Sequence, residues 1–439
     1  MTMSCGASGT EAARRGGGCA FCGAKMSLQP IVDAVHLIHG PMICLGHNWD
    51  SRPTGSSGTL LHRTNFTTDL SESDTVLGGE RKLVRAIEAA VARHDPAAVF
   101  VYQTCVPAMI GDDVGAVCRA AAARMGRPVI PVDLPGLAGG KDHGTDSAGG
   151  ILLDHVIGTR EPDNRTATDI NLIGEYNVAG ELEQVKALLA QLGIRVLASI
   201  PGDGRYGDIA GAHRARASVT LCSRSLGSLA EALRDRYGIP VLRGSFYGCA
   251  SIAETLRGIA GLLAERGGPA DLPDRAEALI RREEARVQVA LAPYRSRLTG
   301  KRALLATGGA KAWSLAALVQ YLGLEVVATV VTKTSAVERS RAAALVGEDR
   351  LSDGLSLVGL RADVVLSGGI ARLKAMRAGL AWVEVNHERR MALSGYDGVI
   401  RLAEAIDAAL SNPLRQSLNA PPPWEEISTR ILPFPRRAR

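Results

Sequence analysis

Aromatic side chains are scarce in this sequence, at 4% of 439 residues. That scarcity argues against a β-sandwich and against a surface that stacks nucleobases. No stretch approaches the roughly 18 uninterrupted apolar residues of a membrane-spanning helix, and the first residues lack a basic segment followed by an apolar run. A soluble, cytoplasmic protein is the expectation. Charge of one sign is also limited. The formal net charge is +6, and much of the excess sits in terminal arms such as Arg14–Arg15 and Arg436-Arg437-Ala438-Arg439. These runs read as solvated ends, so nucleic acid is not expected as a partner. There is no short internal repeat and no long low-complexity linker. Eight cysteines in a cytosolic chain of this size do not suggest a disulfide framework, which leaves metal ligation or burial.

What is abundant is glycine, at 49 residues, together with short β-branched runs that alternate with helical patterns. Alternation of this kind is the signature of βαβ units and parallel sheets, with tight turns from strand to helix. A first block, residues 1–165, holds expected strands at Ala98–Tyr102 and Pro128–Val132 and a helix from about Ala116 to Met125. A second, residues 166–295, holds Asp169–Glu175, Arg195–Ile200 and Ser218–Cys222. The charged helical stretch Leu272 to Leu298 leads to a third block, residues 296–439. Its strands are Arg302–Thr307, Glu325–Val331, Asp363–Ser367 and Trp382–Val385, and the tail after Asn412 is Pro-rich. The fold class expected is α/β, with three Rossmann-like domains. At this length, two or three domains are also the natural division.

Ligands of open parallel sheets bind beyond the carboxyl ends of the strands, so the residues that follow each strand carry most of the functional information. Here they include Cys105, Gly174-Glu175-Tyr176-Asn177, Cys222, Gly308-Gly309 and Asn386-His387. Further cysteines sit among glycine and proline: Cys19 and Cys22 in Gly-Gly-Cys-Ala-Phe-Cys-Gly-Ala, and Cys44 in His-Gly-Pro-Met-Ile-Cys. Such surroundings let backbone N–H groups approach a sulfide-rich cluster and let thiolates converge. Taken alone, each thiol reads more readily as a buried structural cysteine than as a ligand. Cys19-x-x-Cys22 also suits zinc or a redox pair, although the second cysteine pair of a zinc ribbon is absent.

Several runs together resemble the α-type chains of the nitrogenase component 1 family. They include His36-Leu37-Ile38-His39-Gly40-Pro41 with Cys44, Asn48-Trp49-Asp50-Ser51-Arg52, Thr104-Cys105 and Ile110-Gly111-Asp112-Asp113. Asn171 to Glu181, Gly244-Ser245-Phe246-Tyr247-Gly248 and Gly395-Tyr396-Asp397-Gly398 extend the match to roughly residues 18–410. Within the family the sequence is similar to NifE-type scaffolds for iron–molybdenum cofactor assembly.

The resemblance implies that Cys19, Cys44 and Cys105 supply this chain's thiolates to a cluster shared with a homologous β-type subunit in an α2β2 assembly. That cluster would be P-cluster-type, with eight irons and seven sulfides, or a four-iron cluster. Cys222 corresponds to the thiolate at one end of a large eight-iron cofactor, akin to the iron–molybdenum cofactor or its precursor. Arg52, Ser225, Lys311 and Lys333 fall around that anionic group. An ATP-dependent iron protein is the implied electron donor.

Departures from the pattern pull in another direction. The position of the dinitrogenase pocket histidine holds Thr145, with His143 nearby, and these two are the candidate proton donors. Ala371 replaces a lysine that steadies the organic acid. Asn386-His387-Glu388-Arg389 has His387 where the scaffold has glutamine, an imidazole able to ligate iron. Cys22 is an additional thiol, a candidate extra ligand. On these departures the expected activity is that of a nitrogenase-like oxidoreductase of the methylthio-alkane reductase type, cleaving C–S bonds in a small-molecule substrate. The alternative is a cofactor-assembly scaffold.

Overall fold

The computed structural model describes residues 18–49, 64–222, 226–331, 334–354, 361–386 and 391–414. Its strands form three sheets, and every strand pairing is parallel. The first contains β1 (Ala34–His39), β2 (Asn65–Thr67), β3 (Ala98–Gln103) and β4 (Val129–Val132), in the order β2-β1-β3-β4. The second contains β5 (Asp169–Glu175), β6 (Arg195–Pro201), β7 (Ala217–Thr220) and β8 (Val241–Arg243), in the order β6-β5-β7-β8. The third contains β9 (Arg302–Ala306), β10 (Glu325–Val330), β11 (Leu351–Ser352), β12 (Val364–Ser367) and β13 (Ala381–Glu384), in the order β11-β10-β9-β12-β13. Helices cover the faces, as parallel sheets require.

The strand orders locate the switch points, where neighbouring strands send their connections in opposite directions and leave a crevice at their carboxyl ends. They lie between β1 and β3, between β5 and β7, and between β9 and β12. Cys44 and Cys105 follow β1 and β3. Glu175 ends β5, Cys222 follows β7, and Gly309 and Lys311 follow β9. Sheet topology alone therefore brings the chemically distinctive residues to crevices.

Two differences from the sequence expectations have identifiable causes. Strand β1 was not among the expected strands because His36 and His39 interrupt its apolar run. Both are buried, and both are hydrogen-bonded within the domain. His36 Nε2 donates to the Ile31 carbonyl at 3.2 Å, which leaves Nδ1 to accept from the Tyr102 hydroxyl at 2.8 Å. His39 meets Asp112 at 2.9 Å and Thr68 at 3.1 Å. Cys222 was expected to end a strand, but β7 stops at Thr220 and leaves the thiol on the following loop.

The helix Ala20–Leu28 crosses the helix Lys141–His155 with almost no side chain between them. A Cβ on Gly23 would collide with the Lys141 carbonyl oxygen, and one on Gly144 with that of Ala20. This crossing anchors the amino end of Ala20–Leu28, where Cys19 is the cap residue. The first and second sheets are joined by Val32 N–H donating to Gly204 O at 2.9 Å and Tyr206 N–H to Asp33 Oδ1 at 2.8 Å. The second and third are joined by Ser394, whose N–H donates to Glu181 Oε2 at 2.9 Å and whose hydroxyl donates to the Glu181 carbonyl at 2.7 Å.

Candidate functional site

Four thiols gather at the first switch point. Cys105 opens the helix Cys105–Ile110 directly after β3, held by Thr104, whose hydroxyl donates to His39 O at 2.9 Å. Cys19 and Cys22 lie one helical turn apart, and the Cys19 thiol donates to the Cys22 sulfur at 3.4 Å. The turn Gly136–Ala138, after β4, presses against them. A Cβ on Gly136 would lie 2.9 Å from the Cys105 sulfur and 3.1 Å from the Cys19 sulfur. Both sulfurs therefore border one small space that exists because residue 136 has no side chain.

The electrostatics of these thiols are coupled. The bond to Cys22, followed by burial and the Cys105 charge, pushes the Cys19 thiol far up from its ordinary value. Burial, and then the charges of Cys105 and Cys22, pushes Cys44 up, partly offset by a hydrogen bond with Thr104. Without a cation the group favours protonated thiols, and metal would displace those protons. Among the described residues, no three His, Cys, Asp or Glu are grouped to hold a single metal ion. An iron–sulfur cluster makes a different demand, because its thiolates are distributed over several irons. The glycine-cleared space and the thiol donor set suit such a group.

Around the thiols the surface is apolar. Ile43 precedes Cys44 and is 75% exposed, Met109 on the Cys105 helix is 77% exposed, and Leu137 beside Gly136 is 61% exposed. Large apolar side chains presented together around one site mark a surface suited to protein contact.

A second constellation spans the second and third switch points. A Cβ on Gly309 would sit 3.8 Å from the Cys222 sulfur, so the thiol faces backbone of the third domain. Gly309 has φ +63°, a left-handed conformation that a side chain would strain. Two residues on, the Lys311 ammonium donates to Val385 O at 3.2 Å and lies 5.0 Å from the centre of the Tyr247 ring, a cation–π arrangement. The Tyr247 hydroxyl donates to Glu175 Oε2 at 3.4 Å. Burial pushes Lys311 down from the usual lysine value, while Glu181, Glu175, Glu384 and Cys222 pull the other way. Burial likewise pushes Glu175 and Glu181 up. The pocket thus places one thiol beside a half-buried ammonium balanced by carboxylates, a polar setting for an anionic ligand.

Other expected site residues fall elsewhere. His143 and Thr145, the candidate proton donors, both lie in the helix Lys141–His155. His143 is exposed, and Thr145 is buried with its hydroxyl donating to Lys141 O at 3.0 Å. That bond turns the threonine hydroxyl back onto its own helix. Arg52, Ser225, Lys333 and His387 lie outside the described residues. Gly136, Glu181 and Tyr247 were not expected in a site. A Pro135-Gly136 turn directly after a strand was the available signal for the first of them.

Residues 19–411 match the family of nitrogenase component 1 type oxidoreductases. Curated relatives include the nitrogenase iron-molybdenum cofactor biosynthesis protein NifE of Bradyrhizobium diazoefficiens, 52% identical over 94% of this chain and 77% of its own length. Its namesake from Rhodobacter capsulatus is 48% identical over 94% and 88%, and that from Klebsiella pneumoniae 44% over 93% and 92%. A solved structure described as nitrogenase Cp1 at pH 6.5 has a TM-score of 0.82 and 25% identity, covering 93% of this chain and 90% of that one. These relatives overturn the expectation of a methylthio-alkane reductase. That expectation leaned on His387 and a few other departures, whereas 44% to 52% identity along nearly the whole chain leads to proteins named for cofactor biosynthesis. Among the described residues no helix is long and apolar enough to cross a membrane. The chain belongs to the nitrogenase component 1 type oxidoreductase family.

Proposed function

We propose that this chain is the α-type half of a scaffold on which the iron–molybdenum cofactor is assembled, the role carried in the name of its relatives. Residues 1–165 form the interfacial cluster domain, 166–295 the domain bearing the cofactor thiolate, and 296–439 the domain that closes the cofactor pocket. Cys19, Cys44 and Cys105 hold this chain's side of a P-cluster-type or four-iron cluster, and a homologous β-type chain supplies the rest in an α2β2 assembly. Cys222 holds one end of an eight-iron cofactor or its precursor. Lys311 stands beside that thiolate, and Arg52, Ser225, Lys333 and His387 are the further residues assigned to binding the anionic group. An ATP-dependent iron protein is the redox partner.

One observation carries the cluster assignment: the sulfurs of Cys19 and Cys105 border the same glycine-cleared space, inside a rim of exposed apolar side chains. The thiols hold and orient the bound group, and the apolar rim is the surface a partner would cover to keep water from it. When bound, such clusters supply electron transfer and a platform for building the cofactor.

The test is anaerobic co-expression with the β-type homologue, followed by iron and sulfide quantification, EPR and size-exclusion chromatography. A heteromeric complex that carries iron and restores a cofactor-deficient nitrogenase component 1 is the expected result. A monodisperse monomer with a full complement of iron when expressed alone would overturn the shared-cluster assignment. Failure of an iron-loaded complex to restore the deficient enzyme would overturn the scaffold role.

A further inference from the structure

We propose that Cys19 and Cys22 form a reversible dithiol–disulfide pair, which reacts with low-molecular-weight disulfides of the glutathione class before the chain takes up iron.

The two sulfurs are already in contact at 3.4 Å, with the Cys19 thiol donating to Cys22. Their spacing is that of one helical turn, with Cys19 capping the helix and Cys22 inside its first turn, so both side chains lie on one face. Formation of a bond requires the sulfurs to approach by little more than an ångström, to about 2.05 Å. Gly18 keeps the approach open, since even a Cβ there would come within 3.3 Å of the Cys22 Cβ.

The pair is asymmetric in a way that fits exchange chemistry. Cys19 is half-buried and Cys22 is buried. An incoming disulfide therefore meets Cys19 first, and Cys22 stands behind it to resolve the adduct.

The chemistry balances without any further reactant. Cys19 first gives up its proton to solvent, and its thiolate attacks one sulfur of the small disulfide, forming a mixed disulfide and displacing a thiolate that takes up a proton in turn. Cys22 sulfur then attacks Cys19 sulfur, forming the intrachain bond and displacing the second thiolate, which takes the Cys22 proton. One small disulfide is reduced to two thiols, and the protein dithiol is oxidised by two electrons. If Cys19 is a cluster ligand, as the proposed function holds, the disulfide withdraws it from iron until reductant returns it.

The full-length chain, purified anaerobically in the reduced and iron-free form, is incubated with excess oxidised glutathione. It is then alkylated and peptide-mapped. Expected is the loss of two alkylation sites, Cys19 and Cys22, with the peptide containing both lighter by two hydrogens and restored by dithiothreitol. In Cys22→Ser a glutathione adduct should persist on Cys19, whereas in Cys19→Ser the buried Cys22 should stay unmodified. Full alkylation of both residues in the wild-type chain after treatment would overturn the proposal, and that result depends on no variant. So would a Cys22→Ser chain that gains no adduct. Iron uptake with the partner chain is measured separately. Loss of uptake in the oxidised form supports both inferences, whereas a disulfide without effect on uptake upholds the redox pair and overturns Cys19 as a ligand.

Discussion

Gly136 stands so close to Cys105 that a single added methyl group would lie 2.9 Å from its sulfur. The glycine has no positive φ, so space rather than backbone strain determines what a substitution does there. In the iron-free chain the thiols can swing aside. Gly136→Ala should then change stability by less than about 1 kcal/mol. With a cluster to hold, the sulfurs can no longer yield, and iron content of the heteromeric complex should fall by at least half. Thermal unfolding of the iron-free chain and iron quantification of the complex check the two halves. An alanine variant with wild-type iron would show that the space is not part of the cluster seat.

The crossing at Gly23 and Gly144 offers no such freedom, because the atoms in the way are backbone carbonyl oxygens. Gly144→Ala should force the helices apart at a cost of about 1–3 kcal/mol or more. The shift would also carry Cys19 away from Cys105. Chemical denaturation should show a lower midpoint with little change in slope, and co-purified iron should drop. Unaltered stability would mean that the helices do not touch in this way.

The parallel α/β architecture was legible because β-branched runs such as Glu325–Val331 and Asp363–Ser367 sit between helical patterns. The placement of His143 and Thr145 was not. Their helix contains Gly144, Gly149 and Gly150 and reads locally as a loop. Close packing overrides that propensity. Gly144 lies on the Ala20 carbonyl, and a Cβ on Gly149 would be 3.1 Å from that of Leu229. The candidate thiols were named from neighbouring motifs, but sequence spacing alone could not place the sulfur of Cys19 beside that of Cys105. Their meeting depends on the turn at Gly136 and on the helix crossing, both long-range consequences of packing.

The two thiol groups occupy different crevices, so they should be separable. Cys105→Ala should remove iron from the interfacial cluster and its EPR signal while leaving iron at Cys222 in part. Cys222→Ala should do the reverse. The Lys311 ammonium beside Cys222 would stay paired with Val385 O and Tyr247 in the second variant, so folding should be preserved. Iron-to-protein ratios and EPR of both variants, each co-expressed with the β-type chain, make the comparison. Equal loss of all iron in both would show that the crevices do not load independently.

Lys25 gives the domain a pH dependence of its own. Its side chain is fully buried, with the ammonium donating to Gln29 Oε1 at 2.7 Å, and burial pushes it down from 10.5 to about 7. The unfolded chain keeps the ordinary lysine value, so between about pH 7 and 10.5 it binds more protons than the folded chain does. Stability from this residue therefore rises with pH through that window, by up to about 1.4 kcal/mol per unit, and falls as pH drops toward 7. Lys25→Met removes the buried charge and should flatten the rise. It should also stabilise the iron-free chain at neutral pH by about 1–4 kcal/mol, less whatever is lost by leaving Gln29 without its donor. Urea unfolding of both forms at about pH 7 and 9 measures the effect as the difference between the two slopes of stability against pH. Parallel stability curves for the two chains would refute a depressed Lys25, and the ammonium would then have to be solvated in the folded state.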